Sequence, residues 1–468
     1  MGFQEGVSRN THIRRPDRSP RGCRTGRQLI PAVATSVAVA ALLVASPAWA
    51  ADQPEAQTES VRGVGTFERD PIGVELDRLL ELPFDLADGG EYDPDEERPY
   101  VLSTFTVFPK FEIDLIHTDN IFRSSSNAQS DIITIFRPIV SIESDWDNHS
   151  LVFSGQADFG RHLENPIEDY EDYSLSSALT IDVDDFTTAS ANIGHNRSHG
   201  QRGDIDDPGQ QLGTDIQHQT SIGFSGSRAI PDGLELDGSF SASRVTVDDN
   251  GPLDNSDRAR TDFNTRVRMG WEIEQGTSVF VQPAATFSRF HQKLDNSGVN
   301  RDFNDYELSV GTRLDPSPIT FLEFLAGVTQ RKFADASFQD GTDYLVRGVF
   351  LWNPTSVTTL NGSIDQTFTP ASTPGISGTL TRTYKTSVDW TPRDPLILSA
   401  QGTFRTEDFE GSTPERSRQS IILGLSADWA IDRNFYTSIS ATTEHQSGDL
   451  DIDDMVENRI QVRLGGQL

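Results

Sequence analysis

The stretch VDWTPRDPLILSAQGTF (Val388–Phe404) sets a tryptophan, two prolines and a charged pair between two runs that each alternate apolar and polar residues. Alternation of period two belongs to a strand with unlike faces, because successive side chains point to opposite sides of the pleat. Pro and Asp between two such runs supply the dihedrals of a tight reversal. The stretch therefore reads as a hairpin with TPRDP (Thr391–Pro395) as its turn. Comparable turns recur about every forty residues, the rhythm of a chain of hairpins. They are DWDN from Asp145, VDDF from Val183, IPDG from Ile230, EQGT from Glu274, DPSP from Asp315, NPTS from Asn353 and IDRN from Ile431.

Alternating rows flank these turns from Thr104 onward. Phe105, Val107, Phe111, Ile113 and Leu115 form the first, Phe263, Val267, Met269, Trp271 and Ile273 lie midway, and Val456, Ile460, Val462, Leu464 and Leu468 form the last. Longer polar stretches such as LENPIEDYED (Leu163–Asp172), HGQRGDIDDPGQQLGTD (His199–Asp215) and QSGDLDIDDM (Gln446–Met455) separate the hairpins. Eight short turns and nine long loops make eighteen strands. Each is roughly 10–14 residues, enough to cross about 25–30 Å of hydrocarbon when tilted. The pattern predicts an all-β fold over residues 103–468: a transmembrane antiparallel up-and-down β-barrel of about eighteen strands, with short periplasmic turns and long outer loops. Sixteen strands is the alternative count, because Phe186–Ser198 is only weakly apolar. Pro109, Pro138 and Pro283 fall inside expected strands, where each removes a ladder donor, and are expected at bulges or strand ends.

Trp146, Trp271, Trp352, Trp390 and Trp429 each lie in or just before a short turn. A periplasmic aromatic girdle sits there, because indole prefers the membrane–water boundary. A soluble sandwich would hold them in mid-strand core positions instead.

Ahead of the barrel, Arg14, Arg15, Arg18, Arg21, Arg24 and Arg27 precede an apolar run (Leu29–Ser46) and the cleavage pattern Ala48-Trp49-Ala50. Residues 1–50 therefore read as a signal peptide for general secretion. Cys23, the one cysteine, falls within it, so the mature chain is expected to have no disulfide, thiol catalyst or cysteine-bound metal. Loss of that segment takes the formal charge from −32 to about −37. Such an acidic chain lacks the basic surface that nucleic-acid binding requires. Residues 51–102 carry fifteen acids against four Arg, densest in EYDPDEERPY (Glu91–Tyr100). They read as a largely disordered periplasmic segment with one helical spacing over Ile72–Leu82, or as a plug or docking arm. No apolar run is long enough for a transmembrane helix, which says nothing against a barrel whose every second residue faces a polar lumen.

With the hairpin repeat in hand, FEIDLIHTDNIFRS (Phe111–Ser124), SDIITIFRPIVSIESDWDNHSLVFSGQADFGRH (Ser130–His162), EDYEDYSL (Glu168–Leu175) and DWTPRDPLILSA (Asp389–Ala400) resemble the outer-membrane family described as putative beta-barrel porin 2. The resemblance covers residues 100–468. It implies a porin-like barrel in the outer membrane of a Gram-negative bacterium, surrounded by lipid and lipopolysaccharide and inserted by the barrel assembly machinery. Relatives accompany exopolysaccharide export systems, which implies periplasmic export components as partners. In one departure from the family, RIQVRLGGQL ends in Leu468 rather than an aromatic residue. Insertion is expected to survive on the intact alternation, with weaker recognition.

The chain is read as no enzyme, with no cofactor and no metal. GFSGS (Gly223–Ser227) has Ser where a nucleophile elbow needs its second Gly, and lies in an expected strand. HNRSH (His195–His199) gathers His, Asn and Ser at a strand end without a cross-strand arrangement. DLDID (Asp449–Asp453) opens like a calcium loop but has Asp454 at the sixth position and no Glu at the twelfth. If one face of each strand meets lipid, the other lines a lumen. That assigns to it Asp262, Arg266, Arg268, Glu307, Arg313, Lys385, Asp389, Arg405, Arg418, Asp428, Arg459 and Arg463. Facing rows of opposite charge either orient solutes or pair with one another and stiffen the wall. The leading functional reading is a passive channel for polar solutes. The others are an export or docking barrel for an exopolysaccharide, a structural or adhesive barrel with a blocked lumen, and a soluble extracellular β protein.

Overall fold

The computed structural model describes residues 101–467, apart from Ser103, Asp147 and Thr413. The expected signal peptide, nearly all of the acidic segment with its helical spacing, and Leu468 lie outside the described residues. A two-residue strand β1 (Val101–Leu102) pairs back on Phe105 and Thr106. Eighteen long strands follow among the described residues. The first six are β2 (Phe105–Thr118), β3 (Asp131–Ser144), β4 (His149–His162), β5 (Tyr170–Asp184), β6 (Thr187–His199) and β7 (Ile216–Ile230). Next come β8 (Leu234–Val247), β9 (Arg260–Glu274), β10 (Thr277–Phe290), β11 (Phe303–Ser317), β12 (Thr320–Phe333) and β13 (Gly341–Thr355). The last are β14 (Thr358–Pro370), β15 (Gly378–Arg393), β16 (Leu396–Glu410), β17 (Arg416–Ala430), β18 (Phe435–Gly448) and β19 (Met455–Gln467).

Each long strand pairs antiparallel with the next, and β19 returns to β2 with Val462 opposite Leu115. The sheet is thus a closed eighteen-strand barrel, and closure removes the free edges an open sheet would expose. The weakly apolar Phe186–Ser198 segment supplies β6, with Ile193 opposite both Ser177 and Ile222. Ladder hydrogen bonds belong to the backbone, so a strand poor in apolar side chains pairs as fully as its neighbours. Strands run from 13 to 16 residues, at or just above the upper end of the expected span. The ladders continue past the apolar rows into polar residues near the loops.

Pro109, Pro138 and Pro283 lie neither at bulges nor at strand ends. The β3–β4 ladder skips Arg137 and Pro138 and resumes in unchanged register at Ile139–Gln156, and the β9–β10 ladder skips Gln282 and Pro283 in the same way. On the other side each strand stays paired, with Phe111 opposite Pro138 and Leu308 opposite Pro283. Pro109 sits one residue past Lys110, where the ladder from β2 to β19 stops. A missing N–H therefore interrupts one ladder locally without adding a residue to the strand. The register shifts lie beside short turns instead, for example at Leu314/Ser317, Trp352/Thr355 and Trp390/Arg393.

The two faces differ as alternation requires. Leu175, Ile193, Leu308, Val310, Leu423, Leu425 and Ile460 are among the many exposed apolar side chains of the outer face. The inner face is recognised by contacts between strands that are not neighbours: Arg268 of β9 with Glu323 of β12 (2.8 Å), and Arg347 of β13 with Glu307 of β11 (3.3 Å). One small apolar cluster, Phe280, Leu325 and Leu345, also lies on this inner face. Eight short turns close one end and nine longer loops the other.

Candidate functional site: the barrel mouth and its charged inner wall

The loop after β6, Gly200–Asp215, is built to leave the wall. Gly203 (φ 80°) and Gly209 (φ 88°) take left-handed conformations open to glycine, and Pro208 lies between them. Arg202, buried at the base, is bound by Glu168 of the β4–β5 loop, by Asp207 (2.9 Å) and by the Gly209 carbonyl (2.9 Å). From there the loop reaches the opposite rim. The Asp206 carboxylate accepts the backbone N–H groups of Ser372 and Thr373 (both 3.0 Å) and the Thr373 hydroxyl (2.8 Å). Those residues follow β14, eight places from β6 in the ring of eighteen, so the loop spans the mouth. Ile205 packs against Ala371, Ile376 and Phe409, and Arg418 donates to the Gly203 carbonyl. Such a barrel is wide enough for an aqueous channel, and here one loop divides its entrance.

The far anchor is itself clamped. Arg301, 4% exposed in the β10–β11 loop, donates to the carbonyls of Ala371, Ile376 (2.9 Å), Ser372 (2.9 Å) and Thr373 (3.3 Å). Its Nε pairs with Asp295 (2.6 Å). Burial by itself would raise the Asp295 carboxyl. Hydrogen bonds from the Val299 N–H, the Arg301 guanidinium and Ser297 outweigh it and hold the group below the usual aspartate range. The Ala371–Ser377 loop is thus gripped by its N–H groups on one side and its carbonyls on the other.

Two ion-pair networks cover parts of the inner wall. At the closing seam, Glu112 and Asp114 (3% and 1% exposed) share Arg137 (2.8 and 3.4 Å) and Arg463 (3.2 and 2.7 Å), and Arg137 also reaches Asp158 (2.7 Å). Near the mouth, Arg331 lies 3.0 Å from Asp305 and 2.8 Å from Glu410, with its guanidinium 3.4 Å from the Phe368 ring centre. Buried charges persist only when so paired.

All twelve side chains expected at a lumen lie on the face opposite the exposed apolar row of their strand. Ion pairs join Arg268 with Glu323, Glu307 with Arg347, Arg418 with Glu407, Arg459 with Glu457, Arg463 with Asp114, and Asp262 with Arg260 (3.1 Å). Arg266 donates to Ser239 (2.9 Å), Asp262 accepts from Ser288 (2.6 Å), Asp389 from Asn361 (3.2 Å) and Asp428 from Ser426 (3.1 Å). Arg313 lies over the Phe321 ring, and Lys385 and Arg405 share the inner face. Trp146, Trp271, Trp352, Trp390 and Trp429 all stand at the short-turn end with partly exposed rings, Trp146 edge-on to Phe105 at 5.8 Å.

The loop residues Arg202, Asp206 and Arg301, and the wall residues Arg137 and Arg331, escaped sequence reasoning. For Arg202 and Arg301 the one legible signal is arginine in a loop of an otherwise acidic chain. The motifs set aside as chemistry are placed elsewhere. His195 bonds to Thr220 (2.8 Å) on the outer face with Ile193, whereas His199, at the end of β6, bonds to Asp172 (2.6 Å) and stacks on Tyr170 (3.9 Å), which packs against the inner Ile133 and Ile135. Ser225 lies within β7, and Asp453 pairs with Arg416.

A family model described as putative beta-barrel porin 2 matches residues 100–468. No curated protein matches the chain. Among solved structures, OccK2 (OpdF) from Pseudomonas aeruginosa is similar at 12% identity and a TM-score of 0.43, over 77% of this chain and 98% of that one. OccAB3 from Acinetobacter baumannii is 9% identical over 78% of this chain and 100% of its own, with a TM-score of 0.42. The siderophore receptor PirA from Pseudomonas aeruginosa is 9% identical over 77% and 80%, with a TM-score of 0.41.

Proposed function

The chain belongs to the putative beta-barrel porin 2 family, and on that footing we propose that it is an outer-membrane channel passing small polar solutes passively past the Gly200–Asp215 loop. The observation that carries this reading is the loop laid across the mouth and bound at both ends. It narrows the entrance. A solute must then travel beside the loop and along a wall whose charges are largely paired, which selects more by size than by sign. Short turns face the periplasm, and the five tryptophans mark the headgroup boundary there. No catalytic step is involved.

The test is single-channel conductance of the refolded chain in a planar bilayer, beside one variant with Gly203–Leu212 replaced by a short Gly-Ser link and another lacking residues 51–102. Steady current that rises when the loop is shortened supports the channel. Current from the chain lacking residues 51–102 alone would make that segment a plug and favour a gated exporter. Silence from all three, with barrel folding verified, would overturn conduction.

A further inference from the structure

The wall between β13 and β14 is parted near the loops. Their pairing runs from Thr355–Thr358 only as far as Gly348–Ile364. Yet β13 stays zipped to β12 as far as Gly341, and β14 to β15 as far as Pro370. Gly341–Arg347 and Asp365–Pro370 therefore face each other without ladder pairing, crossed by the Arg347 side chain, which lies 3.6 Å from Asp365 and donates to the Gln366 carbonyl (3.4 Å). Tyr344, on the outer side of that edge, is 84% exposed.

Beside the gap, the loop ends of β14–β16 fold inward. Phe368 and Glu410 share by alternation and pairing the face of Tyr384 and Phe404, which look outward. Phe368 nevertheless packs on Phe303 (5.4 Å) and Phe333 (6.4 Å), and Glu410 pairs with Arg331, all on the inner face of β11 and β12. Between the two surfaces lies a cavity of about 310 Å³ lined by Asp305, Glu307, Arg331, Asp343, Arg347 and Gln366 among others. Four carboxylates line it against three guanidiniums. Asp305 Oδ1, Asp343 Oδ2 and Arg347 Nε are buried and make no hydrogen bond, although Arg331 lies 3.0 and 3.6 Å from the two carboxylate atoms.

An unpaired strand edge is costly against hydrocarbon and is tolerated where it borders protein, water or a ligand. Here it borders a polar cavity whose carboxylates outnumber its cations and have lone pairs to spare. We infer that the β13–β14 seam is a binding site for an alkyl amine, entered from the membrane. The ammonium head sits against Asp343, whose buried Oδ2 makes no hydrogen bond and which Arg331 approaches only to 3.6 Å, and the hydrocarbon chain leaves through the seam past Tyr344 into the outer leaflet. Three N–H donors suit the unused acceptor positions, and the positive charge offsets the excess carboxylate. The site does not depend on conduction, because its readout is binding.

The test uses the full chain with Cys23→Ser and Thr367→Cys, bimane-labelled at the cavity wall and reconstituted in phospholipid vesicles. Bimane emission is titrated with dodecylamine and with dodecanol, and quenching is measured in vesicles whose acyl chains carry bromine. The expected result is a saturable emission shift at about tenfold lower amine than alcohol, the factor that ~1.4 kcal/mol of charge-assisted bonding confers. That preference is lost in Asp343→Asn, with Asp305→Asn as the second variant should the first fail to fold, and the label is quenched by brominated lipid. Equal response to amine and alcohol would overturn the head site. Quenching by aqueous iodide but not by brominated lipid would overturn the membrane route and leave a water-filled notch.

Discussion

One guanidinium, that of Arg301, satisfies four carbonyls of the Ala371–Ser377 loop and one buried carboxylate. Arg301→Ala strands Asp295 without its cation and leaves those carbonyls unmet. The expected local loss is about 3–5 kcal/mol, the usual result of breaking a buried pair from one side. Amide hydrogen exchange reads it: protection at Ser372, Thr373 and Ser377 falls, while protection at the β2–β3 ladder is unchanged. Protonation acts on the same pair. The Asp295 carboxyl is held below its ordinary value, so its stabilising effect is complete above about pH 4 and is lost as pH falls through the lowered value. Acidification below pH 4 is expected to free the Ala371–Ser377 loop before the barrel opens. Loop exchange that does not change between pH 6 and pH 3 would count against the clamp. None of this was legible in sequence, because a buried arginine in a loop looks the same on paper as a solvated one until its partners, some seventy residues away, are known.

At the scale of the strand, alternation carries the argument. Leu425, 66% exposed at mid-strand in β17, faces outward, and its neighbour Ser426 faces in and bonds to Asp428. Leu425→Arg is expected to cost about 2–4 kcal/mol in bilayer-refolded protein, as a cation near the hydrocarbon midplane does. Ser426→Arg is expected to cost well under half as much, and equal costs would contradict the assignment of faces. Alternation was readable because burial on one side and lipid on the other force period two on every strand. The positions of the three internal prolines were readable and their effect was not. Whether a missing donor is relieved by a bulge or simply left as a gap depends on the partner strand, and here Leu308 and Phe111 hold the register.

Across the whole molecule, closure depends on β19 meeting β2, and the inner charges concentrate at that seam. Arg463 bonds to both Asp114 and Glu112 there. Arg463→Ala leaves two nearly buried carboxylates sharing the remaining cations. It is expected to destabilise the barrel by about 3–5 kcal/mol, read as a lower temperature for loss of the heat-resistant folded band on a gel. Arg313→Ala, whose guanidinium lies over a ring rather than in a carboxylate network, is expected to leave that temperature nearly unchanged.

Period-two rows, turn residues at regular intervals and alternating short and long connections determined by themselves the class and the topology of this protein, with eighteen strands as the leading count and sixteen left open until β6 was placed. They also determined which charged residues share the inner face. Each is a local consequence of a chain that must turn one side to lipid and the other to water. Tertiary structure alone decided what those charges do: Arg463 and Arg418 became partners of Asp114 and Glu407, and a loop anchored by Arg202 crossed to Ser372. It also decided that β13 and β14 part near the mouth, as no local residue pattern distinguishes Gly341–Arg347 from a zipped strand. The reason is physical. Strand pattern is fixed by neighbours two residues apart, whereas pairing of buried charges and packing across a mouth depend on residues brought together only when the ring closes.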